Sequence, residues 1–454
     1  LGGFNEQALS NTAWAFATAR HASPELFKAI SAEAVRLQLG GFNPQELSIT
    51  SWAFATAGHA LPELFDAISA EAVRRRLGDF IPQHLSNMAW AFATVRHAAS
   101  DLLAAISAEV VRRRLRDFNP QHLSNMAWAF ATVGHASPEL FKTISVEAVR
   151  RRMGGFNPQS LSNTAWAFAT AGHASPELFR AISAEAVRRG LGGFNEQALS
   201  NTAWAFATAS HASPELFKAI SAEAVRRGLG SFKEQELSNT AWAFATAGHE
   251  SPELLNAISA DAVRRRLSGF DEQELCTLAW AFAVFNPSCA DELFGSTIFV
   301  TRCALLDTSF SRSGLAQLHQ WSIWCEERGT TWPRLPESLQ QACRDAFIAE
   351  EGKPSQLQSD VVREIRSRGA RVKEEHRCEA SGYSIDALVT LNDGERVAVE
   401  VDGPSHFVGC SHQLTGATLL KHRQLRYFGW RLEIVSYWEW NRSKELHWLP
   451  QSSQ

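Results

Sequence analysis

The sequence predicts a mainly α-helical solenoid of two-helix repeats followed by a small α/β domain. Three observations carry that expectation. Trp14, Trp52, Trp90, Trp128, Trp166, Trp204, Trp242 and Trp280 follow one another at intervals of 38 residues without exception. A fixed period of this length marks stacked supersecondary units, not one globule. The segment "LSNTAWAFATA" stands letter for letter at 9–19, 161–171, 199–209 and 237–247. Beyond Trp280 the period decays, and strand-like runs appear at 371–376, 383–391 and 395–401.

Taken in order, each unit opens with a helix A, roughly 7–20 in the first copy, where Leu9, Ala13, Phe16 and Ala17 recur at helical spacing. "HASPELF" then starts a helix B. Ser23 suits its N-cap, Pro24 its first turn and Glu25 its positive end. Leu26, Phe27, Ile30, Ala34 and Val35 form an apolar stripe, and the glycines of "LGGFNEQ" suit a C-cap. One such hairpin cannot cover its own apolar surface, so neighbours must stack. "AVFNPSCADELFGSTIF" reads as a capping repeat with altered polarity, and "LAQLHQWSIWCEERG" as part of the closing helices. The expected domains are therefore a repeat array over 1–300, a helical cap or linker over 301–353 and a C-terminal domain over 354–454. The last has the order α-β-β-β-α-β.

Composition narrows the classes of function. The 454 residues are 45% apolar and 20% charged, with a net charge of −4, so no bulk basic field announces a polyanion. No apolar run approaches the roughly 18–20 residues of a membrane span. The seven cysteines show no CxxC or CxH spacing and avoid the first seven repeats. That pattern argues against a zinc site or a disulfide framework and fits a reducing compartment. "LGGFNEQALS" at 1–10 returns at 191–200 after a complete repeat, which reads as a chain opening inside an array.

On a helical wheel Asn11, Ala15 and Thr18 lie opposite the apolar face. Stacking would align Asn11, Asn87, Asn125, Asn163, Asn201 and Asn239, with Ile49 and Thr277 as the exceptions. Two readings fit this stripe. The amides can bond a base edge, or they can bond one another and fix the stacking register. The Trp column reads as packing between repeats. The periodic histidines, such as His21 and His59, read as caps on helix A's negative end. They cannot share a metal across neighbours spaced ~8–10 Å apart. Helix B ends in an arginine ladder in which Glu71–Arg75, Glu109–Arg113, Glu147–Arg151, Glu185–Arg189 and Glu223–Arg227 are i, i+4 pairs. The extra arginines, Arg76, Arg114, Arg152 and Arg266, read either as a solvated face or as phosphate contacts. Variation between copies concentrates at two edges of helix A. One holds Ala8, Glu46, His84 and His122, the other Arg20, Gly58, Arg96 and Gly134, and a sequence code would be expected there.

A 38-residue paired-helix unit ahead of a distinct C-terminal module resembles the octotricopeptide-type repeats of organellar RNA-binding proteins. A protein-binding scaffold of ankyrin or tetratricopeptide kind fits the period nearly as well. "AVEVDGPSHF" at 398–407, "TGATLLKHRQLRYFGWRLEIVSYWEW" at 415–440 and "KELHWL" resemble the RAP domain of organellar and apicomplexan proteins, including the FAST kinase-like family. The resemblance spans about 357–450. It implies a restriction-endonuclease-like fold with acidic residues that hold Mg²⁺ for phosphodiester hydrolysis. Carried onto this chain, Asp386 takes the first acidic position and Glu400 the second. Asp402 stands where the nuclease pattern has a lysine, Lys421 is placed to supply the missing charge, and His406 to act on water. No metal is implied unless that acidic site is active. Lys421, Arg423, Arg426 and the "YWEW" aromatics equally suit a clamp on a flexible strand. The resemblance thus implies a single-stranded RNA-binding protein of mitochondrion or chloroplast, with other RNA-processing proteins as partners. An RNA endonuclease and a protein scaffold are the rivals.

Overall fold

The computed structural model describes residues 3–173, 175–306, 309–349, 354–409, 411–444 and 446–449. Seven copies of the predicted hairpin are present, from Glu6–Thr18 paired with Pro24–Arg36 to Glu234–Thr246 paired with Pro252–Arg264. The eighth keeps its helix A, Glu272–Phe285, but shortens helix B to Ala290–Phe294. Three closing helices follow, Ile298–Leu305, Arg312–Glu327 and Glu337–Ile348. None of the described helices is long and apolar enough to cross a membrane.

Contacts divide the chain into two compact units, Leu1–Ala205 and Phe206–Gln454. The second holds the last repeats together with the C-terminal domain. Within each unit successive A helices lie closer than successive B helices. Alanine makes this approach feasible: Ala53, Ala91, Ala129 and Ala167 are fully buried. These are the counterparts of Ala15, so that position belongs to the packing surface, not to the polar stripe. Between hairpins, Phe27 meets Phe54 edge to face at 5.0 Å, and Phe65–Phe92 and Phe141–Phe168 repeat the contact.

The hairpin ends depart from the sequence expectation. The Ser23 type occupies the N-cap of helix B but makes no capping bond. In at least three copies it instead bonds a serine of the preceding helix B, as in Ser107–Ser137 at 2.5 Å. The glycines of "LGGF" do not close helix B either. Arg76–Leu77, Arg114–Leu115 and Arg152–Met153 adopt left-handed φ of 51–57° instead, a conformation unfavourable to residues with a Cβ. Carbonyls of these turns are held by the next repeat. Arg113 donates to Phe80 O at 2.5 Å, Leu77 O at 3.0 Å and Gly78 O at 2.9 Å. Arg151 and Arg265 repeat this on the units before them. The middle arginine therefore carries its helical Glu pair and also links neighbours.

The C-terminal domain starts with a helix, Gln356–Ser367, and folds as β1 (Arg371–Arg377), β2 (Ser384–Thr390), β3 (Arg396–Asp402), a crossover helix (Gly416–Tyr427) and β4 (Arg431–Ser436). The sheet order is β1-β2-β3-β4, antiparallel except for the parallel β3–β4 pair that the crossover helix connects. Val397, Val399 and Val401 face one core with Val361, Val362 and Ile365. Alternation sends Ala398, Glu400 and Asp402 to the opposite face, toward the crossover helix. Within this unit the domain docks on the ends of A helices. Gly416 lies against the Ala245 carbonyl with no room for a Cβ, and Gln413 donates to Gly248 O at 2.7 Å.

Candidate nucleic-acid interface and acidic pocket

On helix A, Asn125, Trp128 and Thr132 stand at i, i+3 and i+7 and share one partly exposed face, as do their counterparts in the neighbouring copies. Asn11 is exposed, and Asn87, Asn125, Asn163, Asn201 and Asn239 are half-buried. None of these six carboxamides hydrogen-bonds another described residue. The register-fixing ladder is therefore not formed. The tryptophans, read from sequence as inter-repeat packing, also differ from expectation: Trp14 is 47% exposed and the six that follow are half-buried. Sharing the Asn face, they are shielded on one side only. In the eighth copy Thr277 replaces the Asn and Trp280 is 6% exposed. That A helix packs against both Arg312–Glu327 and the crossover helix.

Both variable edges of helix A prove to be its ends. Glu46, His122 and Glu274 reach back to the N-cap N–H of Asn43, Asn119 and Asp271. The other edge is the left-handed closing residue, with φ of 52° at Arg20, 74° at Gly58 and 64° at Gly134. Variation there coincides with helix termination. The histidines likewise act through the backbone: His59 N–H caps Phe54 O at 2.9 Å, while its ring packs on Phe27 at 4.4 Å. Arg76, Arg114 and Arg152 are exposed on the closing turn of helix B, and their guanidinium groups have no bonded partner among the described residues.

The C-terminal domain brings Asp386, Glu400, Asp402, His406 and Lys421 together. Lys421 Nζ lies 2.5 Å from Glu400 Oε2 and 4.0 Å from Asp386 Oδ1, and Asp386 Oδ2 accepts from Val401 N–H at 2.7 Å. Asp402 Oδ1 is 3.1 Å from His406 Nδ1 and 3.5 Å from His422 Nε2. His422 went unnoticed in the sequence, although it directly follows Lys421. Burial pushes the Glu400 carboxyl up to about 8, with the Lys421 charge opposing it. Burial raises Asp386 as well. For Asp402 burial also acts upward, but the two imidazoles outweigh it and hold the group at about 2. Burial disfavours the Lys421 ammonium, yet Glu400 and Asp386 together hold its value above that of a free lysine.

These donors do not fit the Mg²⁺ that the nuclease resemblance implies. The Lys421 ammonium takes the seat between Asp386 and Glu400, and two imidazoles engage Asp402. No group of three His, Cys, Asp or Glu among the described residues is placed to hold a metal ion. Two clamp residues are also corrected. Arg423 Nε binds Glu327 at 2.7 Å, Nη1 binds Val284 O at 2.7 Å and Nη2 binds Ala283 O. It ties the crossover helix to the last A helix and has no fork left for a phosphate. Trp440 is core, while Trp438 stacks on His412 at 4.2 Å. Arg426 is exposed.

Comparison with known proteins fits these two parts. The family model for the RNA-editing substrate-binding complex 6 protein matches residues 3–292, nearly two thirds of the chain. The chain belongs to that family. The RAP domain model matches residues 399–448, which include Glu400, Asp402, His406 and Lys421 but not Asp386. A RAP domain-containing protein, chloroplastic, of Oryza sativa subsp. japonica is 35% identical over 86 residues, 19% of this chain and 13% of that relative. This member of the RNA-editing substrate-binding complex 6 family thus joins a helical repeat array to a RAP domain. Both parts point to an RNA-associated role.

Proposed function

We propose that this chain binds single-stranded RNA along the Asn-bearing face of its A helices and serves RNA processing in a mitochondrion or chloroplast. The RAP domain, docked on the last repeats, would grip the strand at that end, and other RNA-processing proteins would be its partners in a complex. The observation that carries the reading is the set of carboxamides, five in the first unit and one in the second, that bond no other described residue. Each offers a donor and an acceptor at a base edge. Family membership supports RNA as the ligand, and the chloroplastic relative supports the organelle. Because the same amide recurs, the face offers the same contact at nearly every step and suits a monotonous tract.

Filter binding of the full chain to a labelled single-stranded RNA tests this. Affinity should fall linearly on a log–log plot with salt, by about 0.7 per phosphate contact. Absence of binding at low salt overturns the reading and favours a protein scaffold.

A further inference from the structure

The tryptophans of four consecutive repeats form a regular ladder inside the first unit. Ring centroids are 6.5 Å apart for Trp90–Trp128, 6.4 Å for Trp128–Trp166 and 6.5 Å for Trp166–Trp204. The rings are tilted by only 30–33°, so neighbours are closer to parallel than to edge-on. A spacing of this size is about twice the ~3.4 Å rise of stacked bases. It exceeds what two indoles in direct face contact would adopt, and all four rings remain partly open to solvent.

The ladder also coincides with the Asn stripe. Asn87, Asn125, Asn163 and Asn201 each precede a ladder ring by three residues. In the second copy, where Ile49 replaces the Asn, Trp52 makes no ring contact with another described aromatic. In the eighth, where Thr277 replaces it, Trp280 is covered. The inter-repeat core itself is made largely by Leu, Phe, Ile and Ala, with these four tryptophans outside it.

We infer that Trp90, Trp128, Trp166 and Trp204 form a stacking strip for single-stranded RNA, with one base seated between successive rings and its edge presented to the adjacent Asn. The inference rests on the RNA-binding reading and deepens it: each repeat advances the strand by one nucleotide. Aromatic stacking tolerates any base, so the ladder supplies affinity and the amide supplies preference.

The test uses the full chain and a labelled single-stranded RNA in two arms. The first compares wild type with the double variants Trp128→Leu/Trp166→Leu and Trp128→Phe/Trp166→Phe, with far-ultraviolet circular dichroism confirming the helical content of each. The leucine pair should weaken binding at least about tenfold, within the range for lost base stacking, and the phenylalanine pair should recover most of it. The second arm uses only wild-type protein and an oligonucleotide with three consecutive abasic sites, which keeps its phosphates. It too should bind at least about tenfold more weakly. Unchanged affinity in either arm overturns the stacking strip while leaving the RNA-binding reading intact. Failure of wild type to bind the unmodified RNA overturns both.

Discussion

The helix-A face and the RAP pocket differ in what the fold does with polar groups. On the array, Asn carboxamides recur on an open face and bond no other described residue. In the RAP domain, Asp386, Glu400 and Asp402 are drawn inward and answered by Lys421, His406 and His422. A buried carboxylate must be neutralised locally or protonated, whereas a half-exposed amide is hydrated until a ligand replaces the water. The contrast separates groups the fold needs from groups it leaves available. An acidic cluster gathered from sequence motifs is not thereby a free one.

The sharpest way to break this contrast is to remove the internal cation. Above pH 8, where Glu400 is ionised, Lys421→Met should destabilise the protein by about 3–5 kcal/mol in urea unfolding, because it leaves that buried carboxylate without a counter-charge. A change under about 0.5 kcal/mol would place that carboxylate in contact with solvent and so reopen the pocket as a ligand site.

A smaller effect follows from Glu400. Its folded value lies above its ordinary one, so the folded state binds the extra proton between about pH 4.5 and 8. Stability contributed by that proton is complete below the lower bound and is lost as pH rises through the upper one. Raising the pH from 5 to 8 should weaken wild type by on the order of 3 kcal/mol relative to Glu400→Gln. Parallel pH profiles for the two proteins would show that Glu400 is already ionised at pH 5.

The smallest stability effect belongs to the array. Asn125→Ala/Asn163→Ala should shift unfolding by no more than about 0.5 kcal/mol, as expected for surface groups without partners, while RNA affinity falls severalfold. A loss of stability well above that bound would mean the amides are structural, and the two regions would no longer differ in kind.

Most of the architecture was legible in the sequence. A fixed 38-residue interval and helical apolar spacing are properties of local pattern, so the hairpins and the succession of C-terminal elements could be read directly. The end chemistry was not. Glycine is the expected residue for a left-handed turn, but Arg76–Leu77 and its counterparts adopt it because an arginine 35 or 36 residues later holds the exposed carbonyls. No local rule contains that contact. Similarly, Glu46 and Gly58 vary between copies where each sits at a helix terminus that several residue types can close. In the RAP domain the motif located Glu400, Asp402 and Lys421 together. Which cation faces which carboxylate depended on the crossover helix, whose Lys421, His422 and Arg423 turn to different neighbours.

The arginine that reaches back to the preceding turn makes the hairpin a self-contained building block with a direction. Within each unit a block brings the clasp for the one before it and leaves its own turn for the one after; Arg302 of the closing helix performs the last fastening, on Phe270 O at 2.9 Å. A gene segment encoding one block can be duplicated or deleted in frame without orphaning a clasp or a turn. Array length, and with it the span of any bound strand, is thus free to change in whole steps while both termini of the array stay as they are.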